Sequence, residues 1–312
     1  MNYLGEIVRR FPVRRSVKEK SDFRQWAVKQ AHGMGYEARV EENGTKRTRH
    51  QNVVIGDPDH AAVIFTAHYD TPAASILPNI MMPRNIPLFW AYQFVVVGIL
   101  IALSIPFGVL TRALGGSARL AQMVFLAVYC ALLFLLLRGP ANKHNVNDNT
   151  SGVAAVMALM ERIPKEHRDK AAFILFDNEE KGKLGSKAYA KEHLQTQFTR
   201  LMINMDCVGV GDTLLVISKK MAKRCLGYAT MQSAMEAQTG RKVRFYDALS
   251  SVCNSDQANF KCGVAICACK KAPVVGYYTP KIHTRRDTEA DEGNIQFLAE
   301  GLGQFVENLS DA

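Results

Sequence analysis

The 312 residues lack any CxxC pair, any regular cysteine framework, any internal repeat and any low-complexity tract. The seven cysteines are odd in number and leave at least one unpaired, which argues against a disulfide-stapled secreted scaffold and for a reducing compartment. No nucleic-acid-binding motif accompanies the net charge of +10, so the basic excess points instead to an anionic membrane surface and no nucleic-acid partner is expected. The basic stretch MNYLGEIVRRFPVRR lacks the continuous apolar core of a secretory signal, and its neighbourhood is expected to rest on anionic lipid. Disorder is also excluded, because 48% hydrophobic and 22% charged residues over this length can build a packed core.

What the sequence does have is length without charge. Ile86 to Leu110 is uncharged over about 25 positions and Leu120 to Leu137 over about 18, each enough for a helix to cross a hydrocarbon core of roughly 30 Å. A transmembrane hairpin is therefore expected. A pair of buried core helices is the competing reading, but soluble helices seldom stay uncharged around their whole circumference for so long. Pro106 is expected to bend or end the first span, and a re-entrant hairpin is a variant of the same reading. Arg112 and Arg119 in the connecting loop, against Arg84, Arg138 and Lys143 on the flanks, do not fix the orientation. The thiols and the missing signal favour a cytoplasmic placement of the rest of the chain. The expected organisation is one domain in two parts, residues 1–80 and 140–312, interrupted at 81–139 by a hairpin that meets the bilayer through residues 86–137 of a multi-pass membrane protein.

Outside the hairpin, strand-like and helix-like stretches alternate. From Ser21, Phe23, Trp26, Ala27, Ala31 and Met34 recur at helical spacing, and Gly33 and Gly35 end the run. Tyr36, Ala38 and Val40 alternate, Asn43-Gly44 reads as a hairpin turn, and Asn52 to Ile55 begins the return strand. The apolar runs Ala61 to Ala67, Ala171 to Phe176 and Leu201 to Met205 read as buried strands. Asn and Thr/Ser residues before the helix VAAVMALM place Asp148 at a helix N-terminus. Ile295, Leu298, Leu302, Phe305, Val306 and Leu309 mark a C-terminal amphipathic helix, while residues 243–268 give no clear pattern. This alternation predicts an α/β fold whose sheet is mostly parallel or mixed, with helices on both faces.

In such a sheet ligands bind beyond the carboxyl ends of the strands, so His68, Asp70, Asp148, Glu179, Glu180, Asp206 and His283 can converge. Two imidazoles among several carboxylates suit a divalent metal site, and zinc takes both ligand types. Residues two apart on a strand point the same way, so Asp70 can take the second ring N–H of His68. Adjacent Glu179 and Glu180 point differently, which lets one bind metal while the other faces a water. Singly, an acidic pair or an HxD is usually incidental; in order, each at the end of its element, they form a pattern.

The blocks AHYDTP, NDNTSGVA, NEEKGKLGS, NMDCVG and KIHTRRDT, with NSDQANF before the last, resemble the successive signatures of the co-catalytic di-zinc aminopeptidases of metallopeptidase family M28. The likeness covers roughly residues 16–75 and 140–309 and omits the hairpin. It implies an aminopeptidase-type, phosphorylase/hydrolase-like fold and two divalent ions, zinc above others. It also implies that His68 and Asp206 hold one ion, that Glu180 and His283 hold the other, and that Asp148 bridges them. Glu179 would serve as general base and acid, with Asp70 supporting His68. Gln257 departs from the family, where a histidine is common, and this bears on the substrate pocket more than on the metals. The implied activity is hydrolysis of N-terminal residues from peptides at or near a membrane surface. Glutaminyl cyclisation, carboxypeptidase action and a non-catalytic membrane adaptor are the alternatives on the same scaffold.

Overall fold

The computed structural model describes residues 1–45 and 48–310. In chain order the elements begin with α1 (Tyr3–Arg10), α2 (Val17–Gly33), β1 (Ala38–Thr45), β2 (Thr48–Ile55), β3 (Val63–His68) and β4 (Asn79–Met81). Two long helices follow, α3 (Ile86–Ala113) and α4 (Ala118–Arg138), and then α5 (Gly152–Arg162), β5 (Ala171–Phe176), α6 (Leu184–Glu192), α7 (Leu194–Thr199) and β6 (Leu201–Met205). The chain ends with β7 (Thr213–Ser218), α8 (Tyr228–Ala237), β8 (Lys242–Asp247), β9 (Gly263–Ala272), β10 (Gly276–Ile282) and α9 (Glu292–Glu307).

The strands form one 10-stranded mixed sheet, ordered β1-β2-β5-β3-β6-β9-β10-β4, with β7 and β8 attached beside β9. Its centre, β5, β3, β6 and β9, is parallel. These central strands are buried on both faces, as their unbroken apolar sequences require. Phe173 and Leu175 enter the larger core beneath α2, α5 and α9, while Ile174 and Phe176 enter the smaller one beneath Tyr189 of α6. The expected α/β class with helices on both faces is the one observed.

Several local expectations need correction. The second helix starts earlier than Ser21, at Val17. There the Ser16 hydroxyl accepts from the Glu19 amide and the Glu19 carboxylate accepts from the Ser16 amide, a reciprocal cap that fixes the start. Asn43 and Gly44 are not a turn but strand residues, opposite His50 and Arg49, and the ladder continues to Thr45 and Thr48. Gly44 is needed for another reason: its φ is +112°, and a Cβ there would lie 2.2 Å from the Thr48 carbonyl oxygen.

The two helices α3 and α4 are long and apolar enough to cross a membrane. Only Leu100 and Ser104 of α3 and Ala121 of α4 are buried, so the pair is not a core element. Pro106 lies inside α3 without ending it. The helix is 28 residues long, about 42 Å at 1.5 Å per residue, and exceeds the roughly 30 Å of a hydrocarbon core. Its first turns lie against the mixed-sheet domain, where the Tyr92 hydroxyl donates to the Pro78 carbonyl.

Candidate active site

Parallel pairing aligns the carboxyl ends of the central strands: His68 stands opposite Phe176, and Thr66 opposite Asn204. His68 therefore ends β3 beside Glu179 and Glu180, which follow β5, and beside Asp206, which follows β6. Asp148 arrives from an irregular turn, residues 146–151, rather than from the helix terminus itself. The capping role falls to Asn149, whose side-chain oxygen accepts from the amides of Gly152 and Cys207. Gly152 permits this close seat, since a Cβ there would lie 2.2 Å from the Met205 carbonyl oxygen. His283 follows β10 in a left-handed backbone conformation, φ 59°, and Asn178 and Cys207 beside the other site residues share that conformation.

Five of the seven residues singled out in the sequence form two overlapping groups. His68, Asp148 and Asp206 bring one ligand atom each within 4.8 Å of one another, and so do Asp148, Glu180 and His283. His68 Nε2 is 3.4 Å from one Asp148 oxygen, and His283 Nε2 is 3.0 Å from the other. His283 Nε2 also lies 3.3 Å from Glu180, and His68 Nε2 lies 3.8 Å from Asp206. Asp148 thus faces both imidazoles through different oxygens. Glu179 stands beside His68 and lines a cavity of about 310 Å³ together with Asp148, Asp206 and His283.

Asp70 is placed differently from the expectation. The nearest acceptor for His68 Nδ1 is the Asp70 backbone carbonyl, at 3.2 Å, while the Asp70 carboxylate is 3.6 Å away and too far for a good hydrogen bond. That carboxylate instead accepts from the amides of Glu179, at 2.9 Å, and Glu180, at 3.2 Å. It clamps the glutamate pair in place. Gln257 does not line the cavity; it is buried, accepting from Asn204 and donating to the Cys253 carbonyl.

Two further groups escaped the sequence reading. Asp287 accepts from the amides of Asn147 and Asp148, at 2.9 and 3.0 Å, and so holds the Asp148 turn. It stands in the block KIHTRRDT, four residues past His283, and that proximity was its only signal. Arg14 is fully buried beneath the site, donating to the carbonyls of Phe11 and Tyr69 and to the Thr150 hydroxyl, so this part of the basic N-terminal stretch does not face lipid.

Seven carboxyl groups, of Asp70, Asp148, Glu179, Glu180, Asp206, Asp256 and Asp287, gather around two imidazoles and the Arg14 guanidinium. Burial pushes the Glu180 carboxyl up to about 8 and the Glu179 carboxyl well above the ordinary range. Burial would lower His283, but the carboxylates of Glu180 and Asp148 together hold its imidazole up at about 10. Burial would raise Asp148, yet His283 and His68 keep its carboxyl below the usual range. Glu180 Oε1 is buried without a hydrogen-bond partner among the described residues. An acceptor left this way, within an excess of carboxylates and beside two imidazoles, fits a divalent cation.

The family model described as Peptidase family M28 matches residues 136–306. No curated protein matches the chain by sequence. Among solved structures, the glutaminyl cyclase of Porphyromonas gingivalis is similar with a TM-score of 0.61 and 14% identity, over 99% of this chain and 96% of that one. A leucine aminopeptidase precursor from Bacteroides thetaiotaomicron is similar with a TM-score of 0.59 and 14% identity, over 99% and 95%. LapB from Legionella pneumophila is similar with a TM-score of 0.59 and 15% identity, over 99% and 71%.

Proposed function

The chain belongs to peptidase family M28, and from that premise we propose that it is a membrane-anchored, di-metal aminopeptidase. The observation that carries the reading is the pair of ligand groups sharing Asp148. His68 and Asp206 would hold one divalent ion, Glu180 and His283 the other, and Asp148 both. Ions held there would acidify a water and polarise a peptide carbonyl. Zinc suits this mixture of imidazole and carboxylate.

The chain's own residues do the rest. Glu179, held in place by the Asp70 clamp on its backbone amide and lining the cavity, takes the proton of the attacking water as a carboxylate and returns it to the leaving amine. Asp287 fixes the Asp148 turn through two backbone amides. The cavity, about 310 Å³, lies near the lower bound of roughly 300–1,000 Å³ for small-molecule sites, which suits one or two terminal residues better than a long extended chain. Its carboxylates favour a free α-ammonium. Phe89 and Gln93, from the first turns of α3, line it from the hairpin side, which supports action on peptides at a membrane surface.

In this reading residues 81–139 are a membrane hairpin inserted between two parts of the catalytic domain, 1–80 and 140–312. A cytoplasmic placement belongs to the same proposal. A cysteine introduced at the exposed position of Lys220 (Lys220→Cys) should then react with a membrane-impermeant maleimide in opened but not in intact cells, above the labelling of the unsubstituted chain. The activity itself is tested by incubating the protein with free and N-acetylated peptides and following products by mass spectrometry. Loss of N-terminal residues from the free peptides alone, abolished in Glu179→Gln, is expected. A mass loss of ammonia from N-terminal glutamine would favour cyclisation, the activity named for several proteins of this fold. C-terminal release would favour carboxypeptidase action, and no product with metal bound would favour an adaptor.

A further inference from the structure

Strands β4 and β10 form an antiparallel ribbon, with Met81 opposite Thr279 and Asn79 opposite Ile282. These four residues face the candidate active-site cavity. Alternation along a strand sends the intervening residues to the other side. There Ile80 and Pro280 line a second cavity, of about 820 Å³, whose far wall is the hairpin: Leu100 and Leu103 of α3, Leu132 and Leu136 of α4. One two-stranded ribbon therefore separates the reaction cavity from an apolar crevice against the membrane-crossing helices.

The crevice has a polar end. From Leu132 the lining climbs past Leu136 toward the end of α4 at Arg138, a helical rise of about 9 Å, and continues to Pro140, where headgroups lie. Lys281, Arg285 and Arg286 line it too. Arg285 and Arg286 are exposed and have no ion-pair partner among the described residues, and Lys281 has only Glu289 at 3.7 Å. Apolar depth beneath three cations complements an acyl chain carrying an anionic head.

We propose that this crevice binds an anionic phospholipid, its acyl chain between the hairpin and the β4–β10 ribbon and its phosphate on Lys281, Arg285 and Arg286, and that occupancy braces the ribbon that carries His283. The inference rests on reading α3 and α4 as a membrane hairpin. The bracing has a structural route. His283 follows directly from β10, its carbonyl accepts from the Ser75 amide at 2.7 Å, and Ser75 itself lines the crevice. Asn79, on the other strand of the ribbon, places its amide 3.5 Å from His283 Nδ1. A lipid filling the crevice supports both strands from behind. A zwitterionic lipid brings its own ammonium to the same cations, so selectivity for the anionic head should be on the order of fivefold per cation engaged.

The test uses the full, metal-loaded chain in bilayer discs of phosphatidylcholine alone or mixed with phosphatidylglycerol. Native mass spectrometry of the released protein should show retained phosphatidylglycerol in preference to phosphatidylcholine, and peptide turnover should be higher in the mixed discs. In the charge-reversed pair Arg285→Glu with Arg286→Glu, and separately in Leu136→Trp, which fills the crevice, both the retained lipid and the gain in turnover should disappear. Equal retention of the two lipids, or the same lipid gain in both variants as in the wild type, would overturn the lipid site. Failure of the wild type to enter either disc would instead overturn the membrane reading on which it rests.

Discussion

Asp70→Asn removes one acceptor from a buried clamp. The carboxylate is 3% exposed and spends one oxygen on the Glu179 amide and the other on the Glu180 amide. An asparagine can satisfy only one of them, because its NH₂ would point at the other N–H. A buried donor left without a partner costs about 1–3 kcal/mol, and the surviving bond loses its charge assistance. A combined cost of about 2–3 kcal/mol, felt at the position of Glu179, corresponds to a loss of about 30- to 150-fold in kcat/KM. The assay is steady-state hydrolysis of the best of a panel of free-amine dipeptides, with metal content measured on the same samples. The expected result is a fall carried mainly by kcat at unchanged metal content. Activity within threefold of wild type would refute the clamp, and loss of both metals with the activity would assign Asp70 to holding metal instead.

Metal uptake should expel protons. In the metal-free chain burial raises the Glu180 carboxyl while the surrounding carboxylates raise the His283 imidazole against its burial, so the pair holds protons at neutral pH that ligation must displace. Raising the pH removes those protons and strengthens binding, and lowering it weakens binding; calorimetry in buffers of different ionisation enthalpy should read a net release of protons. Asp287→Asn cannot accept from both the Asn147 and Asp148 amides, and metal affinity should fall on the order of 10- to 100-fold with the fold intact by circular dichroism. Glu179→Gln should keep its metal and lose on the order of 10² to 10⁴ in turnover, measured by the same peptide assay.

The residues that the sequence made legible share a position. His68, Glu179, Glu180 and Asp206 each follow a short apolar run, and such runs are strands whose carboxyl ends face one way in a parallel sheet. Asp148 and His283 were legible through the blocks that contain them. What escaped was joined across long separations. Arg14 meets Thr150 and Lys20 meets Asp177 only after the chain has folded, and no local pattern announces either pair. Strand β4 is three residues long, too short to show alternation, yet it walls both cavities. Phe89 sits in the same apolar run as the rest of α3, so nothing distinguishes it from the exposed apolar residues further along, and Gln93, the one amide side chain of that helix, was the only local sign that these turns line the candidate site. Glu19 and Ser16 lay in plain view as a capping box, but the apolar spacing further along drew the start of α2 toward Ser21.

The most direct test is metal stoichiometry in three proteins prepared alike: wild type, His283→Ala and Asp148→Asn. Two ligand groups sharing one carboxylate predict two zinc ions per chain in the wild type, one in His283→Ala with the His68 and Asp206 site still filled, and weakened binding of both in Asp148→Asn. A single ion in the wild type would contradict the two-ion site, and two retained in His283→Ala would contradict His283 as a ligand of the second ion.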